Sequence, residues 1–357
     1  MTLRHRVKDY RAGDLERRFT TLGIHEDFFV NYGFVSSAVA ALMHPRGLVS
    51  RWPPGRRQRA QLLLAFVRER GSVHPREVDR HFSHGRVTNY WGGSSSATTH
   101  LMELMHYGGL LRVVRREAGI RIYALHERGD ALDIPKLDGR RPRPAGIDAA
   151  ERHARIDALV NVVVRTYAPL PGATLSYLVR RLRYAAPQWH GELGKALQRA
   201  RHRLAHVQVD GIDWYWPAGE RPPRPPRRDD REDAVRLLAP FDPIVWDRLR
   251  FELLWGWQYR FEAYTPAVKR KLGYYALPLL WRDQVIGWAN VSMRKGELQA
   301  DIGYVAARPP RDRRFGRALE AELDRMRFFL GADLNAGVQA DAKAVVKDVV
   351  STGRRPR

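Results

Sequence analysis

The run from residue 259 to residue 275 mixes aromatic and basic side chains and carries the most distinctive chemistry in the sequence. Arg260 and Glu262 are two residues apart in a segment that alternates like a strand, so we expect them to share one face. Three adjacent cations could clamp a phosphate: Lys269, Arg270 and Lys271. Three tyrosines could pack or stack on bases: Tyr264, Tyr274 and Tyr275. The alternative is a core with one structural ion pair, Arg260–Glu262, beside a solvated basic loop.

Metal and cofactor chemistry have little support in the sequence. The pairs His81/His84 and His202/His206 could each share a helix face, but neither has a third ligand nearby. The chain has 0 Cys, which excludes thiolate zinc sites, disulfides and cysteine nucleophiles. It also lacks a Walker loop and a dinucleotide fingerprint. We therefore expect no metal and no cofactor.

The charge of the chain favours a polyanionic partner. Lys and Arg number 62 against 39 Asp and Glu, which gives a formal net charge of +23 at pH 7. Arg predominates, and it forms bidentate contacts with phosphates and guanine edges. A GC-rich genome could explain the preference for Arg over Lys, but it does not easily create the charge. No run approaches the ~20 apolar residues that span a bilayer, and the first residues lack the apolar segment of a signal peptide. We expect a soluble, cytoplasmic protein that binds double-stranded DNA and no membrane.

Two apolar blocks, residues 56–127 and 150–217, predict the same order of elements. Each has three stretches with helical apolar spacing and then an alternating hairpin. The hairpins turn at Ala118-Gly119 and at Asp210-Gly211. Three helices followed by a hairpin is the winged helix-turn-helix arrangement, in which the third helix enters the major groove and the hairpin, or wing, lies along the backbone. An ordinary α+β module with solvated charges is the alternative, and some winged helices bind proteins instead.

Several cations of these two blocks are predicted to contact DNA. The wing of the first block carries Arg112, Arg115, Arg116 and Arg121. The third helix of the second block carries Lys195, Arg199, Arg201 and Arg203. Their side chains could neutralise backbone phosphates.

The last block, residues 234–330, predicts a small β-barrel-like domain closed by a helix. Its predicted strands are Tyr259–Tyr264, Tyr274–Leu280, Val285–Val291 and Glu297–Val305, and its closing helix is Phe315–Leu330. Residues 128–149 and the Pro/Arg-rich residues 218–233 predict linkers, and residues 331–357 predict a tail. The predicted fold class is therefore α+β, with tandem winged helix-turn-helix modules followed by a β-barrel-like domain.

Three stretches in the last block form a specific pattern: Ala239–Arg248, Tyr259–Pro266 and Lys269–Pro278. They resemble the YcaQ/AlkZ family of winged-helix DNA glycosylases, with more similarity to the YcaQ branch. A weaker resemblance covers Tyr90–Ser94 and extends back to about Phe28. The resemblance implies tandem winged helices and a small C-terminal β-barrel around duplex DNA, and an activity that excises alkylated or crosslinked purines without a metal. It implies structural or DNA-facing roles for Arg248, Tyr259, Arg260, Glu262, Lys269 and Arg270.

The catalytic motif of that family has no clear counterpart here. The family carries Gln-apolar-Gln or Gln-apolar-Asp in an N-terminal winged helix, and the similar region starts just after that place. We therefore expect residues 1–55 to be a helical segment, the remnant of a first winged-helix module. Gln208-Val209-Asp210 mimics the motif, but it falls in the wing of a later module. We do not assign it the catalytic role.

Other catalytic positions also differ from the family. Its His-Glu pair falls on Gly33-Phe34, and a family Asp and Lys fall on Asn290 and Ser292. Base excision needs a carboxylate or amide that orients water, together with a flipped base. Asp242 and Glu262 are acidic candidates, and the sequence gives no reason to choose between them.

These observations predict a duplex-DNA-binding protein related to DNA repair that lacks the full glycosylase machinery. An active DNA glycosylase that excises alkylated or crosslinked bases is the first alternative. A transcription regulator is the second.

Overall fold

The computed structural model describes residues 1–47, 52–88, 92–126, 147–221 and 233–331, and the backbone of residues 338–342. Most of both predicted linkers and of the predicted tail lies outside these ranges, as do Tyr90 and Trp91. The protein has a mixed α+β structure that divides into two compact units. The large unit is Leu15–Gly219, and the C-terminal unit combines Met1–Asp14 with Glu220–Arg357. Among the described residues, none of the helices is both long and apolar enough to cross a membrane.

The chain begins with a mixture of helix and strand. The elements are α1 (Asp14–Arg18), the antiparallel hairpin of β1 (Ile24–Phe28) and β2 (Tyr32–Ser36), and α2 (Ser37–Met43). Ser36 caps α2, because its hydroxyl accepts a hydrogen bond from the Val39 amide at 3.3 Å. The segment predicted to be helical therefore also contains a two-stranded sheet.

The first repeated block contains the three predicted helices and the predicted hairpin, with short strands between them. Its elements are α3 (Pro54–Arg70), β3 (Ser72–Val73), α4 (Pro75–Phe82), β4 (Arg86–Thr88), β5 (Ser94–Ser96), α5 (Ala97–Tyr107), β6 (Leu111–Glu117) and β7 (Ile120–Leu125). Ala118 and Gly119 connect β6 to β7 with φ of +47° and +81°. Two consecutive positive φ values define the tight turn that suits antiparallel strands. Leu63, Leu101 and Met105 lie in the core beneath.

The second repeated block has the same order of helices and hairpin, with a 3₁₀ helix (Pro187–Glu192) where the first block has the β4–β5 pair. Its elements are α6 (Ala149–Tyr167), β8 (Leu170–Pro171), α7 (Gly172–Ala185), α8 (Leu193–Arg203), β9 (Ala205–Val209) and β10 (Ile212–Trp216). Asp210 and Gly211 make the hairpin turn with φ of +50° and +77°. In each block the short early strand pairs with the last strand, giving the sheet orders β3-β7-β6 and β8-β10-β9. The two blocks are thus a structural repeat.

The C-terminal unit is built on one twisted sheet and a long helix. Its elements are β11 (Val235–Leu237), α9 (Pro243–Trp246), α10 (Arg248–Trp255), β12 (Leu277–Trp281), β13 (Gln284–Arg294), β14 (Glu297–Tyr304), α11 (Arg313–Leu330) and β15 (Val338–Ala342). The strands follow chain order, antiparallel except for the parallel pair β14–β15. Phe315, Leu323 and Met326 of α11 pack in the core of the sheet. The sheet is open in the described residues, so the predicted barrel-like closure does not form there.

The predicted strand Tyr259–Tyr264 is wrong. This segment is irregular, and its buried positions, Tyr259 and Glu262, are three residues apart instead of two. Arg260 is exposed, so it does not share a face with Glu262. The segment is an irregular loop instead of a strand. It buries the polar side chains of Tyr259 and Glu262, because each of them hydrogen-bonds to the backbone of the same unit.

Candidate functional site

The four arginines of the first hairpin have different environments. Arg116 lies on β6, and its guanidinium donates to both carboxylate oxygens of Glu26, at 2.8 and 2.7 Å. Arg121 packs over the Tyr32 ring, 4.2 Å from its centroid. Arg112 donates to the Leu125 carbonyl. Arg115 is largely exposed and makes a surface ion pair with Glu117 at 2.8 Å. Arg115 is therefore the wing arginine most available to a ligand.

Glu26 has a pKa below its ordinary value although it is buried. Burial raises the pKa of this carboxyl, but the hydrogen bonds and charge of Arg116 and the Tyr32 hydroxyl outweigh that effect. The same pairing raises the pKa of Arg116. The Glu26–Arg116 pair stays charged and ties β1 to β6, so Arg116 serves the fold.

The cations of the second block also divide into paired and exposed side chains. Arg199 donates to both carboxylate oxygens of Asp157 on α6, each at 2.9 Å. Arg203 donates to the Asn161 side chain at 2.8 Å. These contacts fasten α8 to α6. Lys195 is exposed at the start of α8.

A buried charged cluster in the large unit was not predicted from the sequence. Arg46 is 1% exposed, and its guanidinium donates to Asp27 Oδ1 and to three backbone carbonyls at 2.7–2.8 Å. The carbonyls belong to Phe28, Tyr107 and Ala185. Tyr107 ends α5 and Ala185 ends α7, so Arg46 links the two repeated blocks. The only local signal was the adjacent acids Glu26-Asp27 beside aromatic residues.

His44 extends this cluster toward a small cavity. Its Nε2 donates to Asp27 Oδ2 at 2.7 Å, and hydrogen bonds from His44 and the Arg46 charge keep the pKa of Asp27 low despite burial. In the described residues, Nδ1 of His44 is buried without a hydrogen-bond partner. His44 lines a cavity of about 20 Å³ together with His106 and Gly109. That volume accommodates one water molecule.

Gly109 provides the space beside that nitrogen. Its φ is +84°, and a Cβ at this position would lie 2.8 Å from His44 Nδ1. Any larger residue would be strained and would push against the ring. The imidazole therefore donates from Nε2 to Asp27, while Nδ1 is the acceptor and lies beside Gly109.

The predicted aromatic–basic run forms an exposed loop in the C-terminal unit. Glu262 is buried, and its Oε2 accepts hydrogen bonds from the amides of Lys271, Leu272 and Gly273 at 2.9, 2.7 and 3.3 Å. Asn290 donates to the Leu272 carbonyl at 2.7 Å. The base of the loop is thus fixed, while Lys269 and Lys271 are exposed. Glu262 has a structural role and no ion pair with Arg260.

Other predicted residues of this unit are either exposed or structural. Arg248 and Arg260 are exposed. Arg270 is half-buried, donates to the Thr265 carbonyl and lies over the Tyr274 ring. Tyr259 is buried, and its hydroxyl donates to the Ala276 carbonyl at 2.8 Å. Tyr259 is therefore inaccessible to a ligand.

Asp242 also has a structural environment. It is fully buried, caps α9, and accepts two hydrogen bonds from Arg6 at 2.6 and 2.9 Å. Nearby, Arg4 pairs with the buried Glu322 at 2.5 Å. These contacts hold the first residues of the chain on the C-terminal unit. Neither Asp242 nor Glu262 presents a free carboxylate for catalysis.

The remaining motif positions lie in hairpins. Gln208-Val209-Asp210 is exposed at the end of β9 and its turn, as the sequence predicts. Gly33 and Phe34 lie on β2, where Phe34 packs against the core. Groups of acidic residues and histidines that could hold a metal are absent from the described part of the chain.

A family model described as DNA glycosylase AlkZ-like matches residues 1–329. No solved structure matches the chain.

Proposed function

The chain belongs to the AlkZ-like DNA glycosylase family, and on that basis we propose that it is a duplex-DNA-binding protein of DNA repair whose two repeated blocks are winged helices. The repeated order of helix, short strand, two helices and hairpin supports the second part. The observation that carries DNA binding is the fixed loop of the C-terminal unit, which presents Lys269 and Lys271 to solvent. A net charge of +23 adds a long-range attraction for phosphates.

The exposed cations are the proposed phosphate contacts. In the large unit these are Arg115 and Lys195, and in the C-terminal unit they are Arg248, Arg260, Lys269 and Lys271. The surface pair of Arg115 with Glu117 is no obstacle, because exposed ion pairs contribute only about 0–1 kcal/mol. Arg116, Arg199 and Arg203 contribute to the positive field but are already bound to side chains of the fold.

A salt titration tests this proposal. Affinity for a labelled duplex between ~50 and ~200 mM salt should fall with a logarithmic slope of about −0.9 per phosphate neutralised. Replacing Lys269 and Lys271 by Ala should weaken binding to all sequences and reduce that slope by about 2. Lys295→Asn is the matched control, because Lys295 is exposed in a turn with φ of +50°, which Asn tolerates. Binding that is undetectable, or that is insensitive to salt, would refute DNA binding.

The arrangement of His44 favours one second candidate, an active DNA glycosylase. Asp27 orients the imidazole, and His44 lines a cavity with room for one water. The step requires that the cavity opens toward bound DNA; Nδ1 of His44 would then accept a proton from the water while the water oxygen bonds to the anomeric carbon. The bond from that carbon to the base would break, and the base would leave with the bonding electrons. The family resemblance implies this role for a Gln-apolar-Asp motif.

Release of bases from an alkylated duplex decides between the two candidates. If His44 is the base, His44→Gln should lower the rate of abasic-site formation by about 10²–10⁴, with thermal melting and DNA affinity retained. His126→Gln, in the same cavity lining, is the control. No release by the unmodified protein would leave DNA binding as the function and exclude catalysis by His44.

A further inference from the structure

Four aromatic rings of the C-terminal unit form a partly exposed cluster, here called the aromatic patch: Phe241, Phe261, Tyr264 and Tyr275. Phe261 is central, with ring centroids 5.3 Å from Phe241, 6.1 Å from Tyr264 and 5.1 Å from Tyr275, all steeply inclined. The outer rings face solvent: Tyr264 is 78% exposed and Phe241 is 56% exposed. A contiguous patch of exposed aromatic rings is typical of a surface that binds a partner or ligand.

Two rings of the patch, Phe241 and Phe261, are attached to rigid points of the backbone. Asp242, directly after Phe241, is fully buried and bound to Arg6 and to the amide of Ile244. Glu262, directly after Phe261, anchors three amides of the loop. Aromatic side chains held this way bind with little loss of conformational entropy. The patch is therefore preorganised for a flat, apolar partner surface.

Cations lie close in the sequence to Phe261, Tyr264 and Tyr275 of the patch, on the same loop. Arg260 and Lys269 are exposed, and Arg270 lies 5.0 Å from the centroid of the Tyr274 ring, which is itself 59% exposed. Exposed rings can stack on flat rings of a partner, and the cations near them attract negative charge, so this surface suits a partner that has both. Stacked bases inside a duplex do not offer their faces, whereas an unpaired base does.

We propose that the aromatic patch stacks on an unpaired base of bound DNA while the neighbouring cations hold the phosphates on either side of it. This inference rests on the proposed DNA binding and adds to it a preference for duplexes that contain an unpaired nucleotide. Stacking of one base on an aromatic side chain corresponds to about a 5- to 150-fold gain in affinity.

The test compares a fully paired duplex with the same duplex carrying one single-nucleotide bulge, at one salt concentration. The full chain should bind the bulged duplex at least about fivefold more tightly. Tyr264→Ser and Phe241→Ser should each reduce that ratio toward one without changing the salt slope on the paired duplex. Tyr264→Phe should keep the ratio, and so should Leu330→Ser, which removes an exposed apolar side chain outside the patch. Thermal melting of each variant verifies that it folds.

The outcomes separate this proposal from the proposed function. Salt-dependent binding of both duplexes with equal affinity would overturn the stacking site and leave DNA binding intact. Failure to bind either duplex would remove both. Exposed rings beside cations also suit an anionic membrane surface. Tyr264-dependent cosedimentation with phosphatidylserine vesicles, without a preference for the bulge, would overturn the proposal in favour of lipid.

Discussion

Both carboxylate oxygens of Glu26 accept hydrogen bonds from Arg116, a residue 90 positions away in the sequence. The Glu26 side chain is 1% exposed and that of Arg116 is 28% exposed. The pair joins the N-terminal hairpin to the first repeated block. One wing arginine therefore holds the fold together, while its neighbour Arg115 points to solvent.

Substitution of these two neighbours should have opposite effects. Arg116→Ala leaves a buried carboxylate without its main partner. Unfolding free energy should fall by about 2–4 kcal/mol, less than the ~3–5 typical of a fully buried pair, because the Tyr32 hydroxyl still donates. Arg115→Ala should change stability by less than about 0.5 kcal/mol and reduce the salt slope of duplex binding by about 1. Urea unfolding and duplex titration of both variants measure this. Equal stability losses would contradict it.

Arg46 should be sensitive even to replacement by Lys. A lysine keeps the charge but cannot reach Asp27 and three carbonyls together, because it lacks the planar fork of donors. We expect Arg46→Lys to lower the free energy of unfolding by about 3–5 kcal/mol, as for a broken buried pair. Arg59→Lys, exposed on α3, is the control and should be nearly neutral. If both variants melt at the temperature of the unmodified protein, the linking role of Arg46 is wrong.

The sequence predicted the elements whose causes are local. Helices α3, α5 and α11 follow apolar stretches of helical length and spacing, and the hairpin turns follow Ala118-Gly119 and Asp210-Gly211. The predicted strand Tyr259–Tyr264 was wrong, because the alternation of residue types does not identify the hydrogen-bond partners of a segment. Glu262 takes its partners nine to eleven residues downstream.

The polar clusters could not be predicted for a related reason. The contacts of Arg116 with Glu26 and of Arg46 with Ala185 join residues 90 and 139 positions apart. A single sequence identifies such arginines as basic but cannot separate those that bind the fold from those that face solvent. Exposure is the property that distinguishes Arg115 from Arg116, and it depends on tertiary structure.

His106 should make stability depend on pH in the mildly acidic range. Burial, aided by the charge of Arg121, lowers the pKa of His106 to about 4. The unfolded chain protonates this histidine near pH 6.5, whereas the folded chain stays neutral until about pH 4. The contribution of neutral His106 to the free energy of unfolding is therefore full above pH 6.5. It is lost as pH falls toward 4, by up to about 1.4 kcal/mol per pH unit. His106→Gln retains a donor for the Glu26 carbonyl. Urea unfolding at pH 7.5 and 5 should show a smaller pH effect in this variant, and an unchanged one would refute the assignment.

Glu262 should keep the loop that carries Lys269, Arg270 and Lys271 ordered without contacting a ligand. Its carboxylate anchors three consecutive amides, and such charge-assisted hydrogen bonds are roughly twice as strong as neutral ones. Glu262→Gln keeps the shape but weakens all three. We expect trypsin to cleave after Lys269, Arg270 or Lys271 about 3- to 10-fold faster, since local opening exposes a loop that is otherwise held. Glu252→Gln, exposed on α10, is the matched control. Mass spectrometry identifies which bond is cut. Cleavage of this loop at the same rate in both variants would show that the carboxylate does not fix it, and the rigid presentation of Lys269 and Lys271 would then need another cause.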